Sequence, residues 1–231
     1  MIDRRSLLRA ALPGLASWSG LASWPRLASA APASVTDRKL ANRLELWSSY
    51  ADRTQNLMAR LSTRRETSLL EEPLMSTGTL VFRAPRLLVL RDDGLQGSTT
   101  LVDGDEIRVF LNTEPHDTPE AIEADTRPAA QWLARRLRLM FAPGDGTALL
   151  EDTRTHVPRG RGHRLELMPP RGSATRRQLR SVSLQLDPVV GTITQIVIAE
   201  AQGDRVVMGL SDHRQNLPDE DITSFLEPLK L

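Results

Sequence analysis

Between Thr77 and Leu111 the sequence alternates short apolar runs with turn signals and leaves no room for a helix between them. The turn signals are Asp92-Asp93-Gly94 and Asp103-Gly104. Strands joined by such short connections must run antiparallel, because a parallel pair needs a crossover of about a dozen residues or more. This stretch therefore predicts an antiparallel meander with strands at 77–82, 86–91, 98–102 and 106–111.

A second group of strands is predicted in the C-terminal half. Asp187-Pro188 and Gly203-Asp204 mark hairpin turns. In the run 179–186, Val182, Leu184 and Leu186 alternate with polar residues, which indicates a sheet with one apolar face. The predicted strands cover 162–167, 179–186, 191–199 and 205–210. The fold class is therefore mainly β (α+β), built on an antiparallel sheet.

Two amphipathic helices accompany the strands. From Thr36 to about Arg53 the apolar residues follow helical spacing, at Leu40, Leu44, Trp47 and Ala51. The segment Leu57–Leu69 fits either a strand or a continuation of this helix.

The second helix starts at Pro128, a residue suited to the first helical position, and ends before Pro143-Gly144. Its apolar stripe consists of Ala130, Leu133, Leu137 and Met140, widened by Trp132 and Phe141. The charged residues between them are predicted to form a face that meets water or lipid headgroups, namely Arg135, Arg136 and Arg138.

The first 30 residues have the pattern of a signal peptide. Arg4-Arg5 open a positive region, a weakly apolar stretch follows, and Ala28-Ser29-Ala30 offers small residues for cleavage. The run RRSLLR from Arg4 to Arg9 resembles the twin-arginine export signal. We therefore expect export to the periplasm, removal of 1–30, and a single domain at 31–231.

Composition argues against several functions. The chain has 30 Lys+Arg and 29 Asp+Glu; the leader holds four arginines and one aspartate, which leaves 26 basic and 28 acidic residues. Such a near-neutral surface does not favour nucleic acid or an anionic membrane as a partner. The absence of cysteine excludes disulfides, thiolate metal sites, a cysteine nucleophile and a lipid-modified N-terminal cysteine.

The remaining polar residues form no recognisable catalytic or metal-binding motif. The four histidines, His116, His156, His163 and His213, lack the spacing of metal ligands. The sequence has no Gly-x-Ser-x-Gly elbow, and Arg159-Gly160-Arg161-Gly162 lacks the Lys-Ser/Thr of a phosphate loop. We therefore expect no enzymatic activity, no metal and no cofactor.

Several short motifs, taken in order, resemble those of the LolA-type periplasmic lipoprotein carriers. GTLVFRAPRLL at 78–88 is similar to the family's strand-turn-strand with its glycine and proline. LVDGDEIRVF at 101–110 and LQLDPVVGTI at 184–193 are similar to two of its hairpins. Residues 203–208 and 216–225 are similar to its last strand and its "N…F" ending, whereas Arg64–Leu74 matches no family feature.

The resemblance has two departures near the proline. Ala84 stands where the family has a basic residue directly before Pro85, and Leu88 stands where the next strand has an aromatic. Arg83, one position earlier, is therefore the candidate for contact with a partner or a lipid headgroup.

The resemblance implies a half-open, curved antiparallel β-barrel with helices closing an apolar cavity. Nine residues at alternating strand positions are expected to line a continuous apolar pocket: Leu80, Phe82, Leu88, Leu90, Val109, Leu184, Ile196, Ile198 and Met208. The helix at 128–141 is expected to cover the mouth as a lid. Its covering residues are Trp132, Leu133, Leu137 and Met140.

The resemblance also implies the partners. These are lipoprotein or lipid acyl chains, an inner-membrane release complex and an outer-membrane acceptor, bound by a monomer. Two other functions remain open: a sensor or scaffold of the same fold that binds a protein and no lipid, and a hydrolase with an unrecognised site. If the predicted pocket-lining side chains are packed solid with no continuous apolar pocket, the carrier interpretation fails and a plain structural module is left.

Overall fold

The structure is mainly β. The computed structural model describes residues 35–93, 97–104, 106–111, 121–122, 127–160 and 162–229. The strands of the first half are β1 (Asn56–Glu66), β2 (Leu74–Arg83), β3 (Leu87–Asp92), β4 (Ser98–Asp103), β5 (Glu106–Leu111) and β6 (Ala121–Ile122). Those of the second half are β7 (Arg154–His156), β8 (His163–Met168), β9 (Leu179–Leu186), β10 (Ile193–Glu200) and β11 (Arg205–Gln215).

The described strands form one open antiparallel sheet in the order β6-β5-β4-β3-β2-β1-β11-β10-β9-β8-β7. Consecutive strands pair with each other except β6 and β7, which lie at the two edges of the sheet. β1 pairs with β2 and also with β11, and this last pairing joins the two halves. The antiparallel meander predicted from the short turns is therefore confirmed. The ambiguous segment after the first helix is a strand, β1.

Both predicted helices are present, as α1 (Val35–Ala51) and α2 (Pro128–Leu139). Three shorter helices had no clear signal in the sequence: α3 (Thr147–Leu150), α4 (Ala174–Gln178) and α5 (Asp219–Leu226). A 3-10 turn follows at Glu227–Leu229. Among the described residues, no helix is both long and apolar enough to cross a membrane.

The sheet buries apolar side chains on both faces. The inner face, which includes Leu80, Leu88 and Leu184, packs with α1 and α2 in one large cluster. The outer face of the first half packs with α5 through a smaller cluster that contains Val81, Val89, Leu101 and Phe110 of the sheet and Ile222 and Leu226 of the helix. The inner cluster takes side chains from both halves of the sheet, as a half-open barrel requires.

Two asparagines fasten the chain where β11 ends. The Asn56 side chain donates to the carbonyl of Leu217 and accepts from its amide, at 2.9 and 2.8 Å. Asn216 has a left-handed backbone with φ 54°, which asparagine adopts more readily than most residues. Its side chain accepts from the amide of Gln55 and donates to the carbonyl of Arg53. These hydrogen bonds hold the start of β1 against the segment that leads into α5.

Candidate functional site: the inner face of the sheet and its two helices

All nine residues predicted to line the interior lie on the inner face. Seven are buried in one cluster: Leu80, Phe82, Leu88, Leu184, Ile196, Ile198 and Met208. Leu90 and Val109 are partly buried and pack against the same cluster. The alternation of apolar residues in the strands is sufficient to place them, because successive side chains point to opposite faces.

Burial of the inner face decreases towards one end of the sheet. That end, named here the arm end, carries the β1–β2 connection at 67–73 and the turn between β10 and β11. The partly buried Leu90, Val109 and Val206 lie towards it, whereas Val102 and Ile107, further away on the same face, are buried. The partly buried side chains mark the arm end as the more accessible side of the apolar interior.

The apolar side chains that the described residues place in the interior are closely packed. A small cavity lies beneath α1, lined by Trp47, Tyr50, Ala51, Thr54, Leu57, Met140, Phe141, Ile193 and His213. Its volume of about 10 Å³ accommodates about one water molecule. The continuous apolar pocket expected from the sequence is not seen among the described residues, because side chains of α1 and α2 occupy that space.

The predicted lid residues lie along α2 and at its end. Leu137 and Met140 are buried in the inner cluster, and Leu133 packs against it while partly exposed. Trp132 also contacts the cluster, but its Nε1 donates to the carbonyl of Asp152, 3.3 Å away. The apolar stripe of α2 therefore packs against the inner face, and Trp132 links the helix to the segment after α3. That α2 acts as a lid stays a prediction.

The prediction that Arg135, Arg136 and Arg138 of α2 form a solvated face is wrong for Arg136. Its side chain is 1% exposed. It donates from Nη1 to the carbonyl of Ala148 at 3.3 Å and from Nη2 to the carbonyl of Glu151, and its guanidinium lies 5.3 Å from the ring centre of Trp132. Burial, with a contribution from Arg135, lowers the pKa of Arg136. The two carbonyls belong to α3 and its C-cap, where a helix leaves backbone acceptors without intrahelical partners, so they can pair with a buried guanidinium.

The other two arginines of α2 are partly exposed. Arg135 forms an ion pair with Glu151 at 2.6 Å. Arg138 donates to the carbonyl of Pro85, 3.2 Å away, in the turn between β2 and β3. Thus the polar face of α2 is bonded to α3 and to the sheet.

α1 is bonded to the segment before β8 and to the end of α2, and it lies close to the turn between β9 and β10. Arg43, which is buried, donates to the carbonyl of Gly162 at 3.1 Å, and Trp47 Nε1 donates to the carbonyl of Met140 at 2.7 Å. Gly191 has φ +84°, and a Cβ at this position would lie 2.1 Å from the carbonyl oxygen of Leu46. Only glycine allows the turn between β9 and β10 to approach the helix so closely.

The end of α1 brings together polar residues that the sequence did not connect. Thr54 Oγ1 donates to the carbonyl of Tyr50 at 3.1 Å and accepts from Gln215 Nε2. His213 Nε2 is 2.9 Å from the carbonyl of Ile193, to which it donates as the Nε2–H tautomer. Burial raises the pKa of Tyr50 to about 12, so this hydroxyl stays neutral at physiological pH. Tyr50, Thr54 and His213 all line the small cavity.

The segment Arg64–Leu74, which matched no family feature, forms the top of the β1–β2 hairpin. Asp204 accepts hydrogen bonds from the amide of Ser68 and the hydroxyl of Thr67, at 3.1 and 2.9 Å, and these bonds lower the pKa of its carboxyl. Leu69 is 88% exposed, and three further large apolar side chains near it are exposed, Leu70, Leu74 and Met75. The β1–β2 connection is thus bonded to Asp204 through Thr67 and Ser68, and apolar side chains near it are exposed to solvent.

The remaining candidate residues are dispersed. Arg83 is exposed at the end of β2, and Ala84 and Pro85 follow it through a cis peptide bond. His156 is exposed, His163 is partly buried, and His116 lies outside the described residues, as does the predicted signal peptide. In the described part of the chain, no three His, Cys, Asp or Glu side chains are placed to hold a metal ion.

Comparison with known proteins finds similarity at the level of solved structures. The sequence matches no protein-family model and no curated protein. A LolA superfamily protein from Nitrosomonas europaea aligns over 81% of this chain and 97% of its own, with 15% identity and a TM-score of 0.42. The Mycobacterium tuberculosis lipoprotein LppX aligns over 79% and 99%, with 13% identity and a TM-score of 0.41.

A third similar structure is the MucA/MucB complex of Pseudomonas aeruginosa. It aligns over 79% of this chain and 59% of the compared chain, with 17% identity and a TM-score of 0.39.

Proposed function

We propose that this chain is a periplasmic carrier that binds the acyl chains of lipoproteins or other lipids against its inner face and transfers them towards the outer membrane. It is a binding protein that performs no chemistry on its cargo. An inner-membrane release complex would load it, and an outer-membrane acceptor would receive the lipid. The observation that carries the proposal is a continuous apolar face on an open sheet, covered by helices in place of a second sheet.

The packed interior by itself favours a plain structural module, so the carrier function requires that a helix moves away from the inner face. α2 is the candidate, since Leu133, Leu137 and Met140 attach it to the inner cluster through apolar contacts. An acyl chain that buries a dozen methylenes gains about 10 kcal/mol at 0.8 kcal/mol each, against roughly 1.5–3 kcal/mol for each large apolar side chain displaced. Exchange of part of α2 for an acyl chain is therefore energetically feasible.

Cargo binding is tested on the mature protein, beginning at Ala31 and isolated from the cell envelope without detergent. We expect organic extraction and mass spectrometry to recover acyl lipid in a stoichiometric amount. Val109→Asp, which places a charge at the accessible part of the inner face, should abolish lipid recovery. The matched control is Val207→Asp, on the outer face of β11 beside Arg64, and it should retain the lipid.

Failure of both the wild type and Val207→Asp to carry lipid or to bind a fluorescent acyl probe would contradict the carrier function. A protein-binding scaffold of the same fold would then be the better interpretation. Equal loss of lipid in both Asp variants would point to general destabilisation, and their thermal unfolding would identify it.

Export is tested separately. Arg4→Lys combined with Arg5→Lys should leave the uncleaved precursor in the cytoplasm, because the twin-arginine route requires the arginine pair. Normal export of the double variant would contradict this route. Fractionation followed by N-terminal sequencing measures both the location and the predicted start at Ala31.

A further inference from the structure

The hydroxyl of Tyr50 is a buried donor without a described partner. It has no hydrogen bond to any residue in the described part of the chain. A buried hydroxyl left unpaired costs free energy, so a ligand that accepts its hydrogen bond gains affinity at this position. Tyr50 also borders the small cavity beneath α1, so a small shift of the lining side chains would let an acceptor reach the hydroxyl.

The other polar side chains at the cavity are already engaged. Thr54 Oγ1 bonds with the carbonyl of Tyr50 and with Gln215, and His213 Nε2 bonds with the carbonyl of Ile193. The rest of the lining is predominantly apolar, with Leu57 and Met140 among the residues shared with the inner cluster. The cavity therefore combines an apolar wall continuous with the interior and, at its border, a tyrosine whose buried hydroxyl has no partner among the described residues.

We propose, on the basis of the carrier function above, that Tyr50 donates a hydrogen bond to the carbonyl oxygen of an ester- or amide-linked acyl chain lying along the inner face. The cavity has room for about one water-sized atom group, which suits a carbonyl oxygen. The ring of Tyr50 is only partly buried, so the group attached to the carbonyl can continue into solvent. The hydrocarbon part would extend from this end towards the arm end.

A neutral carbonyl fits this site better than a free carboxylate. Removing a carboxylate from water is costly unless several donors or a cation replace its hydration. The hydroxyl of Tyr50 is a single neutral donor. The site therefore selects the acyl chain in its esterified or amidated form, as lipids and lipid-modified proteins carry it.

Tyr50→Phe tests the proposal, because it removes the hydroxyl and keeps the ring. Affinities are measured by displacement of N-phenylnaphthylamine, an apolar fluorescent probe without a carbonyl, using methyl laurate, lauric acid and dodecane. We expect the variant to bind methyl laurate about 2- to 10-fold more weakly than the wild type, and dodecane equally well. Lauric acid should bind the wild type more weakly than the ester at neutral pH.

The variant should unfold at the same temperature as the wild type or higher, because it loses an unpaired buried hydroxyl. Thr100→Val is the matched control, because it also removes a hydroxyl from the inner face. Thr100 pairs with Leu90 and Val109 near the arm end, so loss of its hydroxyl should leave the preference for methyl laurate over dodecane unchanged.

The outcomes separate this inference from the carrier function. Equal binding of methyl laurate by the wild type and Tyr50→Phe would overturn the role of Tyr50 and leave the carrier function standing. An equal loss of dodecane binding in Tyr50→Phe would also overturn it, since the effect would then be one of shape. If none of the three compounds displaces the probe from the wild type, the carrier function fails, and the proposal for Tyr50 fails with it.

Discussion

α1 and α2 cover the same apolar face of the sheet but are held in different ways. α1 is joined to the sheet by the bond from Arg43 to Gly162 and by the close approach of Gly191 to Leu46. The directional bonds of α2 run mainly to α3 and the segment after it, through Arg135 and Arg136. In their polar contacts, α1 is thus joined to segments next to the sheet, whereas α2 is joined mainly to α3 and the residues that follow it.

The two ends of α2 also differ. Its C-terminal end is fixed by the bond from Trp47 to Met140 and by the bond from Arg138 to Pro85. Its N-terminal end has no side-chain cap; there α2 packs against α4, and the hydroxyl of Thr175 lies 3.5 Å from the carbonyl of Pro128. A movement that admits an acyl chain would therefore open the N-terminal end and pivot near Met140.

The largest effect is expected from Leu133→Ala combined with Leu137→Ala. Truncation of these side chains removes two of the large apolar contacts of α2 with the inner cluster, at a cost of about 4 kcal/mol in the free energy of unfolding. If α2 is a lid, the sheet stays folded and uptake of a fluorescent fatty-acid probe becomes faster. Stopped-flow fluorescence and urea denaturation measure the two effects.

The matched variant on α1 is Leu40→Ala combined with Leu44→Ala, two residues that pack partly buried against the same cluster. It should lower stability with little change in the rate of probe uptake. Equal acceleration in both variants would contradict the distinction between the helices, and an unchanged rate in the α2 variant would show that α2 is not a gate.

The sequence predicts the backbone of this fold well, because its main signals are local. Alternating apolar residues place Leu80, Leu184 and Met208 on the inner face, and turn residues set the antiparallel order. The same local pattern fails at Arg136, since the carbonyls that bury it come from residues 12 and 15 positions further on. The one available clue is Trp132, four residues earlier, where a helix brings an aromatic ring and an arginine together.

The candidate site is predicted only in part. The identity of the interior residues follows from strand alternation. Whether these residues enclose a cavity depends on how closely α1 and α2 pack against the sheet. The small cavity beside Tyr50 could not be predicted, because Thr54, Ile193 and His213 come together only when α1 packs against β10 and β11. Neither feature has a signal within a short stretch of sequence.

A somewhat smaller effect is expected from Arg136→Met, which tests whether α2 and α3 act as one unit. The substitution keeps most of the side-chain volume but removes charged donors from two carbonyls, at a cost of about 3 kcal/mol in the free energy of unfolding. Arg135→Met removes only a partly exposed ion pair and should cost less than about 1 kcal/mol. Urea denaturation compares the two variants; a similar cost for both would mean that Arg136 does not join the helices.

The smallest effect is expected from Arg138→Gln, which weakens the fixed end of α2. Arg138 is partly exposed and its bond to Pro85 is a single one of 3.2 Å, so its loss should cost about 1 kcal/mol. Thr175→Val, at the other end of α2, should change stability by less than about 0.5 kcal/mol, because the contact it removes is 3.5 Å long. Hydrogen exchange of the α2 amides distinguishes the ends. In the wild type we expect the amides near Met140 to be protected and those at the N-terminal end to exchange. Arg138→Gln should raise the exchange rate near Met140, whereas Thr175→Val should leave the exchange rate at the N-terminal end unchanged. A wild-type helix protected equally along its length would contradict a pivot at Met140, since both ends would then be held alike.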